Sequence, residues 1–170
     1  MIKALYSNDT ITSLSSDAFA LYEKSKFGER NKDKIEYSII EALFLVEEGR
    51  MQVYKNSREI TSEQLVKIAA KTDKRVYIKF PVYKVLRKKG YIIKTALKFG
   101  ADFRVYDKGV KPREDHAKWL LYPVKESELQ SWYDFAAKNR VAHAARKNLL
   151  IGILDEEGDV TFYEINWVKT

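Results

Sequence analysis

The sequence predicts an α+β protein in two domains, one over residues 1–72 and one over 73–170. Three observations lead there. Apolar residues make up 45% of a 170-residue chain, enough for one sizeable core or two small ones. Strand-like runs and capped helical stretches are interspersed, with no internal repeat and no low-complexity tract. Around Lys71 to Lys74 the composition turns hydrophilic, which marks a boundary.

The elements follow in order. "MIKALYSN" and "TITSLS" read as short strands around the Asn8–Asp9 turn. "SSDAFALYEKSKFG" reads as a capped helix closed by Gly28, and "DKIEYS" as a strand. "SIIEALFLVEEG" is a strongly apolar helix, with Ser38 at its N-cap, Glu41 three residues on and Gly49 at its end. "RMQVYKN" returns as a strand, and "TSEQLVKIAAKTDK" is a helix opened by a Thr61/Gln64 capping box. In the second domain "VYIKFPVYKVLRKKG" is helical. Pro81 has no N–H to donate, so that helix starts close to it or kinks. "YIIKTAL", "FRVY" and "KWLLYPV" are strands, and "SELQSWYDFAAKNR" is a helix capped by Ser127. "NLLIGILD" and "DVTFYEINWV" close the chain as two strands around a hairpin turn at "EEG".

The formal charge is +7, and it is unevenly placed. Between Lys71 and Lys118 fifteen Lys or Arg face five Asp or Glu, so the remainder sums to about minus three. Such a segment suits a polyanion, because each phosphate met by Lys or Arg releases condensed counterions. A solvated, lysine-rich surface accounts for the same charge. There is no cysteine, which excludes a disulfide framework and a thiolate metal site. The opening "MIKALYSNDT" lacks the apolar core of a signal peptide, and no apolar run approaches the roughly 20 residues that span a bilayer. The expectation is a soluble, cytoplasmic protein with no membrane partner.

The stretch "RVYDKGVKPREDH" joins Tyr106 to His116 through turn chemistry and charge. By composition alone Tyr106 is one of eleven tyrosines, His116 a polar residue at a loop edge and Lys147 one lysine among many. Together with "KFGADFRVY" and "RVAHAARK", however, they form an ordered set, with Lys147 thirty-one residues past His116. This set, with "SIIEALFLVEEGRMQVY" in the first half, resembles the archaeal tRNA-splicing endonuclease family over nearly the whole chain.

The resemblance implies a nuclease-like C-terminal domain with a mixed sheet flanked by helices. It also implies cleavage of precursor tRNA at bulge-helix-bulge junctions without metal or cofactor, leaving 2′,3′-cyclic phosphate and 5′-hydroxyl ends. The family's catalytic triad falls on Tyr106, His116 and Lys147. The chemistry agrees with those residue types. Histidine is the natural acid at neutral pH for the leaving 5′-oxygen. A fixed ammonium stabilises charge that grows in the transition state. A tyrosine base for the 2′-hydroxyl needs neighbouring positive charge. His143 is not required by the triad and reads as supporting structure.

The resemblance further implies that Arg140 and an aromatic partner, taken as Trp167, grip a bulged base. Trp167 is equally readable as a core tryptophan near the terminus. The acidic turn of Asp155, Glu156, Glu157 and Asp159 is implied to dock in a basic cleft of another subunit. Because one chain carries both triad and acidic turn, a homotetramer is expected; a heterotetramer with a separate structural subunit is the competing assembly. Two other classes remain. One is a metal-dependent nuclease using Asp102 with Asp107, Glu114 or Asp115. The other is a non-catalytic RNA-binding or structural subunit, which would have no need for the three triad residues together.

Overall fold

The computed structural model describes residues 1–110, 112 and 115–170. Two compact units divide the chain, Met1–Tyr77 and Ile78–Thr170, and each has its own sheet. The class is α+β, as the sequence predicts.

The first unit holds strands β1 (Ile2–Ser7), β2 (Thr10–Ser13), β3 (Glu29–Asn31), β4 (Lys34–Tyr37), β5 (Met51–Lys55) and β6 (Arg58–Ile60). They form one sheet in the order β3-β4-β2-β1-β5-β6, in which only β1 and β5 run parallel. Helices α1 (Ser16–Ser25), α2 (Ile39–Glu47) and α3 (Ser62–Thr72) complete the unit. Both expected capping boxes form. Ser38 Oγ accepts from Glu41 N while Glu41 Oε2 accepts from Ser38 N at 3.1 Å, and Thr61 pairs with Gln64 in the same way.

Three details differ from the sequence reading. Helix α1 ends at Lys26, which takes the left-handed conformation at φ 54°, and not at Gly28. Gly28 has a different task. A Cβ there would lie 2.8 Å from the Glu36 carbonyl oxygen, so the glycine admits a close backbone approach to β4. Its N–H donates to the buried Glu41 carboxylate at 3.0 Å, tying this loop to the start of α2. The third detail is strands β3 and β6, which sequence periodicity missed. Each has three residues and completes a hairpin whose turn uses left-handed non-glycine residues, Lys32 in one and Asn56 and Ser57 in the other. Runs that short carry no legible alternation.

The second unit contains β7 (Ile92–Thr95), β8 (Phe103–Tyr106), β9 (Trp119–Lys125), β10 (Asn148–Leu154) and β11 (Val160–Ile165), in the order β11-β10-β9-β8-β7. The sheet is mixed, because β9 and β10 are parallel and every other pair antiparallel. Helix α4 (Val76–Lys88) runs through Pro81 and begins five residues before it. The residues of α4 from Ile78 onward pack on one sheet face. There Tyr83 lies 5.8 Å from Phe103, and a Cβ on Gly152 would come within 2.6 Å of Val82. Helix α5 (Trp132–Ala144) covers the opposite face, where Ala142 joins Leu120, Tyr122 and Leu149 in a buried cluster.

The cap of α5 is Ser131 and not Ser127. Ser131 Oγ accepts from Asp134 N at 3.1 Å and donates to the Asp134 carboxylate at 2.6 Å. Asp134 therefore decides between the two serines, since it stands three residues after Ser131 and serves both cap groups. Among the described residues no helix is long and apolar enough to cross a membrane.

Candidate functional site

Strand register gathers the sequence-predicted residues at one end of the second sheet. Val105 lies opposite Trp119, and Trp119 opposite Asn148. Backbone bonds continue the ladder one step further, from Lys118 N to Val105 O and from Asn148 N to Lys118 O, both 2.9 Å. Tyr106, Lys118 and Lys147 therefore form a row across β8, β9 and β10, at the C-terminal end of β8 and the N-terminal ends of the other two. Residues facing one another in adjacent strands project from the same face. Two interstrand steps separate the backbones of Tyr106 and Lys147 by roughly 10 Å, which long side chains can close. His116 lies two residues before Lys118, exposed, in the segment that enters β9. Its own N–H donates to Asp115 Oδ1 at 2.7 Å.

Tyr106 is only 3% exposed, with its ring 6.0 Å from the Arg104 guanidinium carbon. Alternation on a strand puts Arg104 and Tyr106 on the same face, the one α5 covers. Lys147 reaches that face by a different route. At the end of α5, Arg146 N donates to His143 O at 2.9 Å and Lys147 N to Ala142 O at 2.8 Å, with Arg146 left-handed at φ 56°. This is a Schellman closure, and it turns the chain from helix directly into β10. Glycine is the usual residue at the left-handed position; here arginine holds it, a strained choice immediately beside the candidate ammonium.

The Lys147 ammonium sits 5.7 Å from the Phe99 ring centroid and 3.4 Å from Ala145 O. Burial holds its pKa below the usual lysine range, and the charges of Arg104 and Lys98 lower it further. The arrangement concentrates positive charge beside a buried phenol and an exposed imidazole. Such a set is suited to moving protons around a phosphoryl group.

Arg140 and Trp167 come together. With Phe135, Ala136 and Asn139 they line a shallow cavity of about 280 Å³ on the outer side of α5. Trp167 is 57% exposed, so it is not a core tryptophan. Its ring packs on His143 at a centroid distance of 4.2 Å. His143 therefore supports the indole, and does not face the row of Tyr106, Lys118 and Lys147.

The acidic turn lies at the far end of β10 from Lys147, a strand of seven residues or roughly 20–25 Å away. Its four carboxylates are not equivalent. Asp155 Oδ1 accepts from Glu157 N at 2.9 Å and from Asp159 N at 2.8 Å, so Asp155 builds the turn. Glu156, Glu157 and Asp159 are exposed.

The carboxylates of the metal reading are engaged elsewhere. Asp102 pairs with Lys79 at 2.8 Å and Asp107 with Lys118 at 3.6 Å, while Asp115 binds the His116 amide. Glu114 lies outside the described residues. Among the described residues no three His, Asp or Glu side chains are placed to hold one ion. Three members of the site escaped sequence reading, Arg104, Lys118 and Phe99. The signal for Arg104 was available, since a strand places the second residue before Tyr106 on the same face; nothing in the sequence points to Phe99.

Comparison with known proteins gives two family matches. The family described as tRNA intron endonuclease, catalytic C-terminal domain, matches residues 76–162, and the tRNA intron endonuclease N-terminal domain matches residues 2–66. A tRNA-splicing endonuclease of Pyrococcus abyssi is 42% identical over 170 residues, covering 99% of this chain and 98% of its own. One from Nanoarchaeum equitans is 45% identical over 143 residues, covering 81% of this chain and 92% of its own. One from Methanothermobacter thermautotrophicus is 34% identical over 163 residues, 95% of each chain.

Proposed function

Since the chain belongs to the tRNA intron endonuclease family, we propose that it cuts precursor tRNA at bulge-helix-bulge junctions without a metal ion, leaving 2′,3′-cyclic phosphate and 5′-hydroxyl ends. The observation that carries this reading is the row of Tyr106, Lys118 and Lys147 at one end of the sheet, with His116 entering from the adjacent segment. The Tyr106 phenolate takes the ribose 2′-hydroxyl proton. The 2′-oxygen then bonds to phosphorus while the bond from phosphorus to the 5′-oxygen breaks, and the His116 imidazolium gives its proton to that oxygen. Lys147 holds its positive charge against the phosphorane-like transition state, where charge on the non-bridging oxygens is greatest. Arg140 and Trp167 grip a bulged base, and such stacking is worth about 1–3 kcal/mol per base.

The test is cleavage of a bulge-helix-bulge RNA by the purified chain alone in EDTA. The expected products end in cyclic phosphate, and a substrate with 2′-deoxyribose at the cut site resists, because the attacking group is gone. A strict need for magnesium, or 3′-hydroxyl products, overturns the assignment. A chain that binds this RNA and leaves it intact without a partner supports the structural-subunit reading instead.

For assembly we propose a homotetramer in which the acidic turn of one protomer meets a basic surface of another; the alternative is a heterotetramer with a structural subunit. Because Asp155 builds the turn, the informative variant spares it. Glu156→Gln, Glu157→Gln and Asp159→Asn together are expected to convert tetramers to dimers in analytical ultracentrifugation. An unchanged sedimentation pattern removes this role from the turn.

A further inference from the structure

Three further features of the second unit are accounted for by ordinary pairing. Asp102 is ion-paired to Lys79, Asp107 to Lys118, and the Arg87 guanidinium donates to the Tyr91 carbonyl oxygen at 2.8 Å. Arg104 is different. Its Nε, like that of Arg87, is fully buried without a hydrogen-bond partner, but where Arg87 still donates through Nη1, no hydrogen bond or carboxylate engages Arg104 among the described residues. Its cross-strand neighbour on β7 is Lys94, itself buried. Like charges placed directly opposite destabilise a sheet, and a buried donor without a partner adds to that cost. The guanidinium lies over the Tyr106 ring, and its charge acts on Lys147.

We propose that Arg104 is a fourth catalytic residue of this site, its guanidinium binding a non-bridging oxygen of the scissile phosphate together with Lys147 while it stabilises the phenolate form of Tyr106. The inference rests on the reading that this row cleaves RNA, and deepens it by saying what the unpaired cation awaits. A phosphate oxygen is the ligand chemistry that satisfies the geometry. It accepts from a planar fork of donors, and it brings the negative charge that a cluster of Arg104, Lys98 and Lys147 lacks. A buried phenol used as a base also needs a cation within a few ångströms, because burial alone disfavours the phenolate. Among the described residues His116, Lys118, Asp107 and Asp115 also lie at this end of the sheet. Lys118 is engaged with Asp107, while the Arg104 guanidinium lies over the Tyr106 ring.

The experiment compares the full chain with Arg104→Gln and Arg104→Lys. Arg104→Gln is expected to lower the single-turnover cleavage rate roughly 10²–10³-fold, the usual effect of removing one preorganised donor to a developing oxyanion. RNA affinity should fall less than tenfold, since most phosphate contacts remain. Arg104→Lys keeps the charge and should recover at least tenfold of the lost rate. A second readout needs no RNA. The Lys147 ammonium, identified in nitrogen-15 NMR spectra by its loss in Lys147→Arg, should titrate at higher pH in Arg104→Gln than in the unmodified chain. Cleavage by Arg104→Gln within threefold of the unmodified rate, or an unchanged Lys147 titration, overturns the proposal. If the unmodified chain fails to cut the RNA, the functional reading fails by itself, and the Lys147 titration still decides whether Arg104 and Lys147 share one site. If Arg104→Gln does not fold, Arg104→Lys carries the test: a loss of no more than about a hundredfold supports a charge role, and a larger loss opposes it.

Discussion

His116→Ala slows single-turnover cleavage by roughly 10²–10⁴-fold, the usual contribution of a positioned general acid. The expectation follows from placement. His116 is exposed at the entrance to β9, two residues before a lysine that register puts between Tyr106 and Lys147. An exposed imidazole there reaches a leaving oxygen without displacing packed side chains. RNA affinity persists, because the phosphate contacts of the basic segment are untouched. His143→Ala is the matched control. Its ring packs on Trp167, outside the row, so its loss should weaken RNA binding while leaving the rate at saturating enzyme within a few-fold. Equal rates for the two alanine variants would misplace the acid.

Lys147→Met is expected to cost roughly 10²–10³-fold in the same assay, because an ammonium fixed near the transition-state oxygens is lost. Its pH behaviour is more diagnostic. The working form is the cation, so the rate falls as pH rises through the Lys147 pKa. Burial, Arg104 and Lys98 hold that pKa below the lysine range, so the fall begins at lower pH than for an ordinary lysine. The measurement belongs in the His116→Ala background, where no imidazolium contributes its own alkaline limb. There, Lys147→Arg should abolish the fall, since a guanidinium stays charged throughout. If both proteins decline together at high pH, the limb belongs to another group and Lys147 does not carry this charge.

Much of this was legible in the sequence, and the remainder was hidden for identifiable reasons. Helices with reciprocal caps, such as those opened by Ser38 and Thr61, were readable because side chain and backbone spacing declare the first turn. The end of α1 was not readable, because Gly28 advertises a helix stop while Lys26 adopts the left-handed conformation. Here glycine is required by the close approach of β4, a contact made by residues that follow it in the chain. Within the site, Tyr106, His116 and Lys147 were singled out by the resemblance of their spacing to a family pattern. What spacing could not convey is that β9 and β10 run parallel and so place Lys118 and Lys147 side by side. Arg104 was hidden differently. One arginine among the basic residues of that segment draws no attention until its pairing is known.

Helix α5 carries two tasks on one rigid body. One side presents Arg140 to the cavity shared with Trp167 and packs His143 on the Trp167 ring, and the turn that closes the helix, with Arg146 left-handed, places Lys147 immediately before β10. A base seated in that cavity, as proposed above, would meet Arg140, seven residues or about two helical turns before Lys147. On the proposed reading, recognition and reaction would then be linked through about two turns of helix, roughly 10 Å of axial length. Loosening those turns, by heat or by a poor substrate, would register in affinity and in turnover together. On that reading, a substrate that does not fill the grip leaves the helix unloaded.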